Sequence, residues 1–453
     1  MRRDVTGGKR GFGNKRDRAV RRPDPRKIGN GAPDPSLTGV SGLVAFGCYL
    51  RELGVDRELG ESFNDLKTGR TQVYPMGAQL RLLLDMFVAG EHRVFGLEAL
   101  AADPLFVHLA GGGVPAIDTV YRDLARFDEA SLAVLDEMVA KHGLAETRMQ
   151  RWTEAHVDID TTVEPLFGQH EGALPGPNPS YHGRPSYHPV LARIAESDTV
   201  IAAQLRPGNT SFGDAEVPFV QRSIRRARSA VGPHCLLYVR IDGAADCTEI
   251  MKCIADEGAL FLTKAKMSWD LQLAIGRTTS WKTVDRDAMD RPTRQVAELD
   301  FARKEWTKAG LPVRVIVVRT RERDNGKQIH FWEDNDYTAQ AYLTNDVTSE
   351  ADSLAWRYNK RAGIEPLIGE LKSAWGIGDV PCHGFDANHA ALLLKLLAHN
   401  LLRRFVRAKA PALRAWRAPW IRRALIRVPG RIVRSGRRSM LRQSPRSMPP
   451  MLN

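Results

Sequence analysis

The sequence predicts an α/β protein: an α/β core carrying a β-rich insertion, preceded by a helical domain and flanked by basic tails. Three observations lead there. Apolar residues recur at helical spacing from about Ser41 to His142, then switch to a period of two from about Trp152. Three strand-like runs, a helix-like run and another strand follow, which is an α/β order. Lys and Arg gather at the two ends of the chain.

Residues 1–36 are rich in Gly, Pro and Arg and read as a disordered arm. In 37–150, Leu43, Phe46, Leu50 and Leu53 form one helical stripe. Leu80, Leu83, Leu84 and Phe87 form another, and Gly54, Gly60 and Thr68-Gly69 punctuate the runs. Residues 114–127 predict a helix capped by Asp118 or Thr119, with Tyr121, Leu124 and Phe127 on one face.

Residues 151–258 hold the first part of the core. "AHVDIDTTV" alternates, with Val157 and Ile159 on one face and Asp158 and Asp160 on the other. "PVLARIA" and "TVIAAQLRPG" read as strands, "VPFVQRSIRRARSAV" as a helix and "HCLLYVRID" as a buried strand. Residues 259–347 form the β-rich insertion, from "ALFLTKAK", "VRVIVVRTR", "QIHFWED" and "TAQAYLTN". In 348–410 a helix runs from Ser349 to Trp375, and a second, "ANHAALLLKLLAHNLLRRFVRAKA", completes the core. A basic tail, 411–453, follows. No internal repeat is visible.

The formal net charge is +13, but residues 1–30 carry +8 and residues 401–453 carry 15 Lys/Arg and no acid. That leaves 31–400 at −10. Basic ends suit a polyanion, because each neutralised phosphate releases counterions. The apolar content of 43% excludes a wholly disordered chain. No apolar run approaches the roughly 20 residues of a membrane span. The best candidate, Ala390 to Phe405, contains Lys395, His399, Arg403 and Arg404. The N-terminus lacks the apolar core of a secretory signal. The five cysteines form no C-x-x-C pair, which argues against a zinc ribbon or a disulfide framework and fits a reducing compartment.

Three acids fall where the backbone exposes them. Asp160 ends the first core strand, Asp242 ends the fourth, and Glu365 sits within a helix. Carboxylates so placed can converge on hard cations, although acids at strand ends also serve as turn formers and caps. Around Glu365, "YNKRAGIEPLIGELK" puts Tyr358, Arg361, Glu365 and Lys372 at offsets that share one helical face. Arg361 suits phosphate as a fork and Lys372 as a point charge. A solvated charge ladder is the plainer reading of the same spacing.

Tyr-x2-Arg-x3-Glu-x6-Lys resembles the Y-R-E-K pattern of DDE transposases from bacterial insertion sequences. "DIDTTV…FGQHEGA", "HGRPSYHP", "LRPGN" and "GIGDVPCHGF" resemble the insertion-sequence 1380 family in particular. The resemblance spans about residues 36 to 410. It implies an RNase H-like core with a β insertion before the last catalytic helix, and a helical DNA-binding domain. It carries over Asp160, Asp242 and Glu365 as catalytic, metal-binding acids. Asp158 is the rival to Asp160. Asp246 is the rival to Asp242, whose loop reads "RIDGAA" where the family often reads R-x-D-S-G-F. Tyr358, Arg361 and Lys372 are carried over as contacts to DNA phosphates. Arg184 and His188 fall in a family motif and serve either a phosphate or their own loop. Trp332 either packs or stacks on a displaced base.

The cofactor implied is Mg²⁺, as two ions, with Mn²⁺ as substitute. The partners implied are double-stranded DNA, both terminal inverted repeats and target, and a second copy of the chain, with no membrane. The implied activity is cut-and-paste transposition, and the implied setting is the bacterial cytoplasm, on the nucleoid. The rivals are a nuclease on the same core, a non-catalytic DNA-binding descendant, and an RNA- or membrane-surface-binding protein.

Overall fold

The computed structural model describes residues 24–29, 31–32, 34–69, 72–176, 178, 182–321, 337–436 and 438–443. Residues 1–36 and 37–453 are separate units. In the first, Asp24 caps a short 3₁₀ turn, Pro25–Lys27.

A short strand β1 (Leu37–Thr38) precedes helices α1 (Leu43–Glu52), α2 (Val55–Phe63) and α3 (Met76–Ala89). Next come α4 (Gly96–Leu100), α5 (Pro104–Leu109), α6 (Ile117–Leu124) and α7 (Glu129–Gly143). Of the predicted stripes, Leu43, Phe46, Leu50, Leu80, Leu83 and Leu84 have no exposed surface and Phe87 is buried, whereas Leu53, just past the end of α1, is half-buried. The predicted cap of α6 is not used. Its N-cap is Ala116, without a side-chain hydrogen bond, and Asp118 lies in the first turn.

The core strands are β2 (Glu154–Thr161), the short β3 (Glu164–Pro165), β4 (Leu174–Pro175) and β5 (Pro185–Tyr187), then β6 (Val190–Ile194) and β7 (Thr199–Gln204). Helix α8 (Val217–Val231), strand β8 (Leu236–Ile241), helix α9 (Thr248–Asp256) and strand β9 (Leu260–Lys264) follow. Then come α10 (Trp269–Gly276), β10 (Lys282–Arg286), β11 (Pro292–Leu299), α11 (Lys304–Lys308), β12 (Arg314–Arg321) and β13 (Tyr337–Thr344).

Among the described residues one sheet has the order β10-β11-β12-β13-β9-β8-β2-β6-β7. Strand β2 is parallel to β8 and antiparallel to β6, and β8 is parallel to β9. The insertion differs from expectation in two ways. Strand β9, assigned to it from sequence, belongs to the core ladder. The described strands β10 to β13 extend the same sheet through the β13–β9 pairing, Tyr342 opposite Lys264, while "QIHFWED" lies outside the described residues. One sheet face buries Val157, Ile159, Val239 and Ile241 against Phe219, Ile224 and Ile250 of α8 and α9. That alternation is why both acids of β2 point to the other face.

The other face is covered by α12 (Ala351–Asn359), α13 (Ile364–Trp375) and α14 (Phe385–Lys409). Helix α14 shares one hydrophobic cluster with α1, α3 and α7, so the helical region and the end of the core are a single packing unit.

The basic tail is also different from its expectation. Residues 418–421 form α15 (Ala418–Ile421), Arg422–Ile426 form a π-turn, and β14 (Gly430–Ser435) and β15 (Arg438–Gln443) form a hairpin beside β1. Ile421 and Ile426 are fully buried. At Gly42 a Cβ would lie 1.7 Å from the Leu425 carbonyl oxygen, so only glycine admits this segment. The apolar residues between the arginines explain the folding: burial outweighs the tendency of the charges to stay apart. Residues 444–453 lie outside the described residues. Among the described residues no helix is long and apolar enough to cross a membrane.

Candidate active site

The β2–β8 register sets the site. His156 lies opposite Tyr238, and Asp158 opposite Arg240. Two residues further along the same register, Asp160 falls beside Asp242. Neighbouring strands stand about 4.8 Å apart, and the negative charge of Asp242 is felt at the Asp160 carboxyl. Three rungs result: a stacked aromatic pair with ring centroids 5.4 Å apart, an ion pair, and a pair of acids.

In the middle rung, Asp158 is fully buried. Arg240 approaches it from β8, with Nε at 2.6 Å and Nη2 at 3.0 Å. Arg193 approaches from β6, with Nη2 at 3.0 Å and Nε at 3.2 Å. Both carboxylate oxygens are taken. Arg193 also lies against Gly363, where a Cβ would stand 2.7 Å from its Nη2.

In the outer rung, Asp160 accepts a hydrogen bond from the Thr161 N–H (2.9 Å) and an ion pair from Arg361 (2.9 Å). Burial raises the Asp160 carboxyl above the usual carboxylate range. Arg361 and the Thr161 N–H oppose the rise, and the negative charges of Asp242 and Glu365 add to it. Asp242 and Glu365 are therefore both within electrostatic reach of Asp160. Asp242 begins a 3₁₀ turn and accepts from the Ala244 N–H at 3.0 Å.

The helix is not the continuous one expected. Tyr358 lies in the last turn of α12, Arg361 in a 3₁₀ turn (Lys360–Gly363), and Glu365 in the first turn of α13. The cause is readable: Pro366 has no N–H and its ring would clash with the Ala362 carbonyl in an unbroken α-helix. Four residues at 120° rather than 100° turn α13 by about 80° relative to α12.

Tyr358 stacks obliquely on Tyr342, with centroids 4.7 Å apart. Burial, with the negative charges of Asp242 and Asp160, pushes its hydroxyl up to about 12, so it stays protonated. Arg361 is 8% exposed; its Nη2 makes the ion pair with Asp160, and its Nε makes no hydrogen bond. Lys372 donates to the Val163 carbonyl (2.9 Å) and pairs with buried Glu164 (3.1 Å). Sequence reasoning missed Glu164, Arg193 and Arg240. A charged residue inside each apolar run, "VLARIA" and "LLYVRID", was the available signal.

The auxiliary candidates separate. His188 is buried, with Nδ1 2.7 Å from the Thr210 carbonyl and Nε2 3.0 Å from Thr161 Oγ1, one residue from Asp160. Arg184 lies over the Phe167 ring at 4.3 Å. Asp246 pairs with Arg303 at 2.6 Å and 2.9 Å. Trp332 lies outside the described residues.

The donor set suits a hard cation in kind, being all carboxylate oxygen. In spacing it is not assembled: among the described residues no three His, Cys, Asp or Glu side chains are close enough to hold a metal ion.

A family model described as "Transposase DDE domain group 1" matches residues 31–449. The chain belongs to this family of DDE transposases. The transposase is therefore a metal-dependent enzyme of DNA cleavage and transfer, acting in DNA transposition. No curated protein matches its sequence significantly. Among solved structures, the piggyBac transposase synaptic complex with hairpin DNA is similar to it, with 11% identity and a TM-score of 0.43. That match covers 85% of this transposase and 79% of the other chain.

Proposed function

We propose that the chain is the transposase of a bacterial insertion sequence of the 1380 family, and that it cuts at the terminal inverted repeats of its own element. The observation that carries the reading is the outer rung. Asp160 on β2, Asp242 just past the parallel strand β8 and Glu365 on the covering helix stand together: the charges of Asp242 and Glu365 raise the Asp160 carboxyl, and a buried arginine pairs with Asp160 while its Nε makes no hydrogen bond. The strand order β7-β6-β2-β8-β9 is read as an RNase H-like core.

Asp160, Asp242 and Glu365 would hold divalent metal, Mg²⁺ as two ions with Mn²⁺ as substitute, which activates water and stabilises the leaving oxygen. Arg361 gives up Asp160 and turns its donors to the scissile phosphate, which frees the carboxylate. Tyr358 donates its hydroxyl proton to a phosphate oxygen, and Lys372 contributes a point charge nearby. The freed 3′-OH then attacks target DNA directly, so no protein nucleophile is needed. The protein pairs two element ends as a homodimer and works on the nucleoid in a bacterial cytoplasm.

The test is a nicking assay on labelled DNA carrying one terminal repeat, with Mg²⁺ or EDTA and Glu365→Gln as control. Mg²⁺-dependent nicking at the repeat boundary, lost in the variant, is expected. Nicking that persists in Glu365→Gln removes Glu365 from the site.

A further inference from the structure

The 15 cations of 401–453 are not equivalent once the chain folds. Arg403 donates to the carbonyls of Trp416 (2.8 Å) and Arg414 (3.0 Å). Arg404 meets His142, Arg407 meets Glu146, and Lys409 meets Glu52. Arg422 donates to the carbonyls of Phe87, Val88 and Ala374, and Arg427 pairs with Glu91. These six hold the protein together. Arg414, Arg417 and Arg423 are exposed, and their side chains make no hydrogen bond or ion pair with any described residue. Trp416 and Trp420 stand among them, 43% and 58% exposed.

Exposed aromatics interleaved with unpaired guanidiniums, in a stretch without acids, match a nucleic acid better than an apolar partner. Arginines neutralise phosphates and indoles stack on bases. The surface is also held rigidly. Arg403 clamps its backbone, and Glu370 Oε1 accepts from the Ala418 N–H at 2.9 Å. Arg422 reaches the Ala374 carbonyl. Glu370 and Ala374 both belong to α13, which carries Glu365 in its first turn. Glu370 lies about 7.5 Å along that helix from Glu365 and about 140° around it, and Ala374 about 180° around it, so the segment is anchored on the side of α13 away from Glu365.

We propose that Arg414, Trp416, Arg417, Trp420 and Arg423 form a DNA-docking platform on the side of α13 away from Glu365. The arginines take phosphates, and the tryptophans stack on unpaired bases. Helix α13 fixes the platform relative to Glu365. The proposal rests on the transposase reading above.

The test titrates full-length protein with repeat-end duplex and with the same duplex bearing a short single-stranded end, over a salt series. Glu365→Gln serves as the binding-competent reference. Trp416→Ala and Trp420→Ala are each expected to weaken binding to the single-stranded end about tenfold and to spare the duplex. Trp→Phe at either position restores it. Arg414→Gln, Arg417→Gln and Arg423→Gln are each expected to weaken both DNAs and to lower the log–log salt slope by about 0.9. Thermal unfolding establishes that each variant is folded. Folded variants with unchanged affinity and slope overturn the platform and leave the function standing. Wild-type protein that binds neither DNA overturns the functional reading and the platform with it. A loss confined to anionic vesicles, with DNA binding intact, assigns the surface to a membrane and also overturns the platform.

Discussion

Asp158 and Asp160 stand two residues apart on the same face of one strand, yet their surroundings are opposite. Asp158 has an arginine on each neighbouring strand and no exposed surface. Asp160 has one arginine, two nearby acids and partial access to solvent. The first carboxylate is satisfied on both oxygens and locks three strands together. The second is short of positive charge, which is the condition of a group available to a cation or to substrate. A rung of structure thus supports a rung of chemistry.

The contrast is broken most directly by removing the outer acids. Asp160→Asn and Asp242→Ala are expected to lower cleavage by about 10⁴-fold while repeat-DNA binding survives. Asp160→Asn is also expected to keep stability within about 1 kcal/mol, since a carboxylate with a raised pKa costs stability when ionised at neutral pH. Paired nicking and denaturant-unfolding measurements check this. A large stability loss in Asp160→Asn would make the outer rung structural.

Next in size is Asp158→Ala. It strands two buried guanidiniums and is expected to cost about 3–5 kcal/mol in denaturant unfolding. A folded, fully stable variant would show that the middle rung is dispensable.

Lys395 sharpens the rule from the cation side. It is fully buried in α14 and donates to the carbonyls of Gly376 and Asp379. Burial lowers it to about 8, against the pull of Asp379 and Glu164. The unfolded chain keeps this proton up to about pH 10.5, so between pH 8 and 10.5 the unfolded state binds more protons and the group makes stability rise with pH. The stability of wild type relative to Lys395→Met is therefore expected to improve by about 3 kcal/mol across that window. A flat difference would mean that the lysine is paired, as Asp158 is.

The smallest expected effect is at His188, which reaches Asp160 only through Thr161. His188→Ala is expected to slow cleavage by about 10–100-fold and to leave repeat-DNA affinity unchanged. An unchanged rate would confine His188 to its loop.

Local pattern carried much of the architecture. The switch of period near Trp152 located the first core strand, and α8 runs from Val217 to Val231 as its apolar spacing predicts. The strands β10 and β11 escaped notice because their sequences, such as "KTVDR", carry little apolar alternation. The break at Gly363–Pro366 was legible but overlooked. It matters, because it changes which face Arg361 shares with Glu365.

The sequence by itself determined that Asp158 and Asp160 share a face, since side chains alternate along any strand. It also determined that charge concentrates at both ends of the chain. Tertiary structure alone decided which acid is walled in and which is open, because the deciding arginines come from β6 and β8. It also decided which C-terminal arginines are spent on carbonyls and carboxylates and which face solvent. A charge is defined by its sequence position, but its energy is set by its neighbours, and those neighbours are supplied by other elements of the fold.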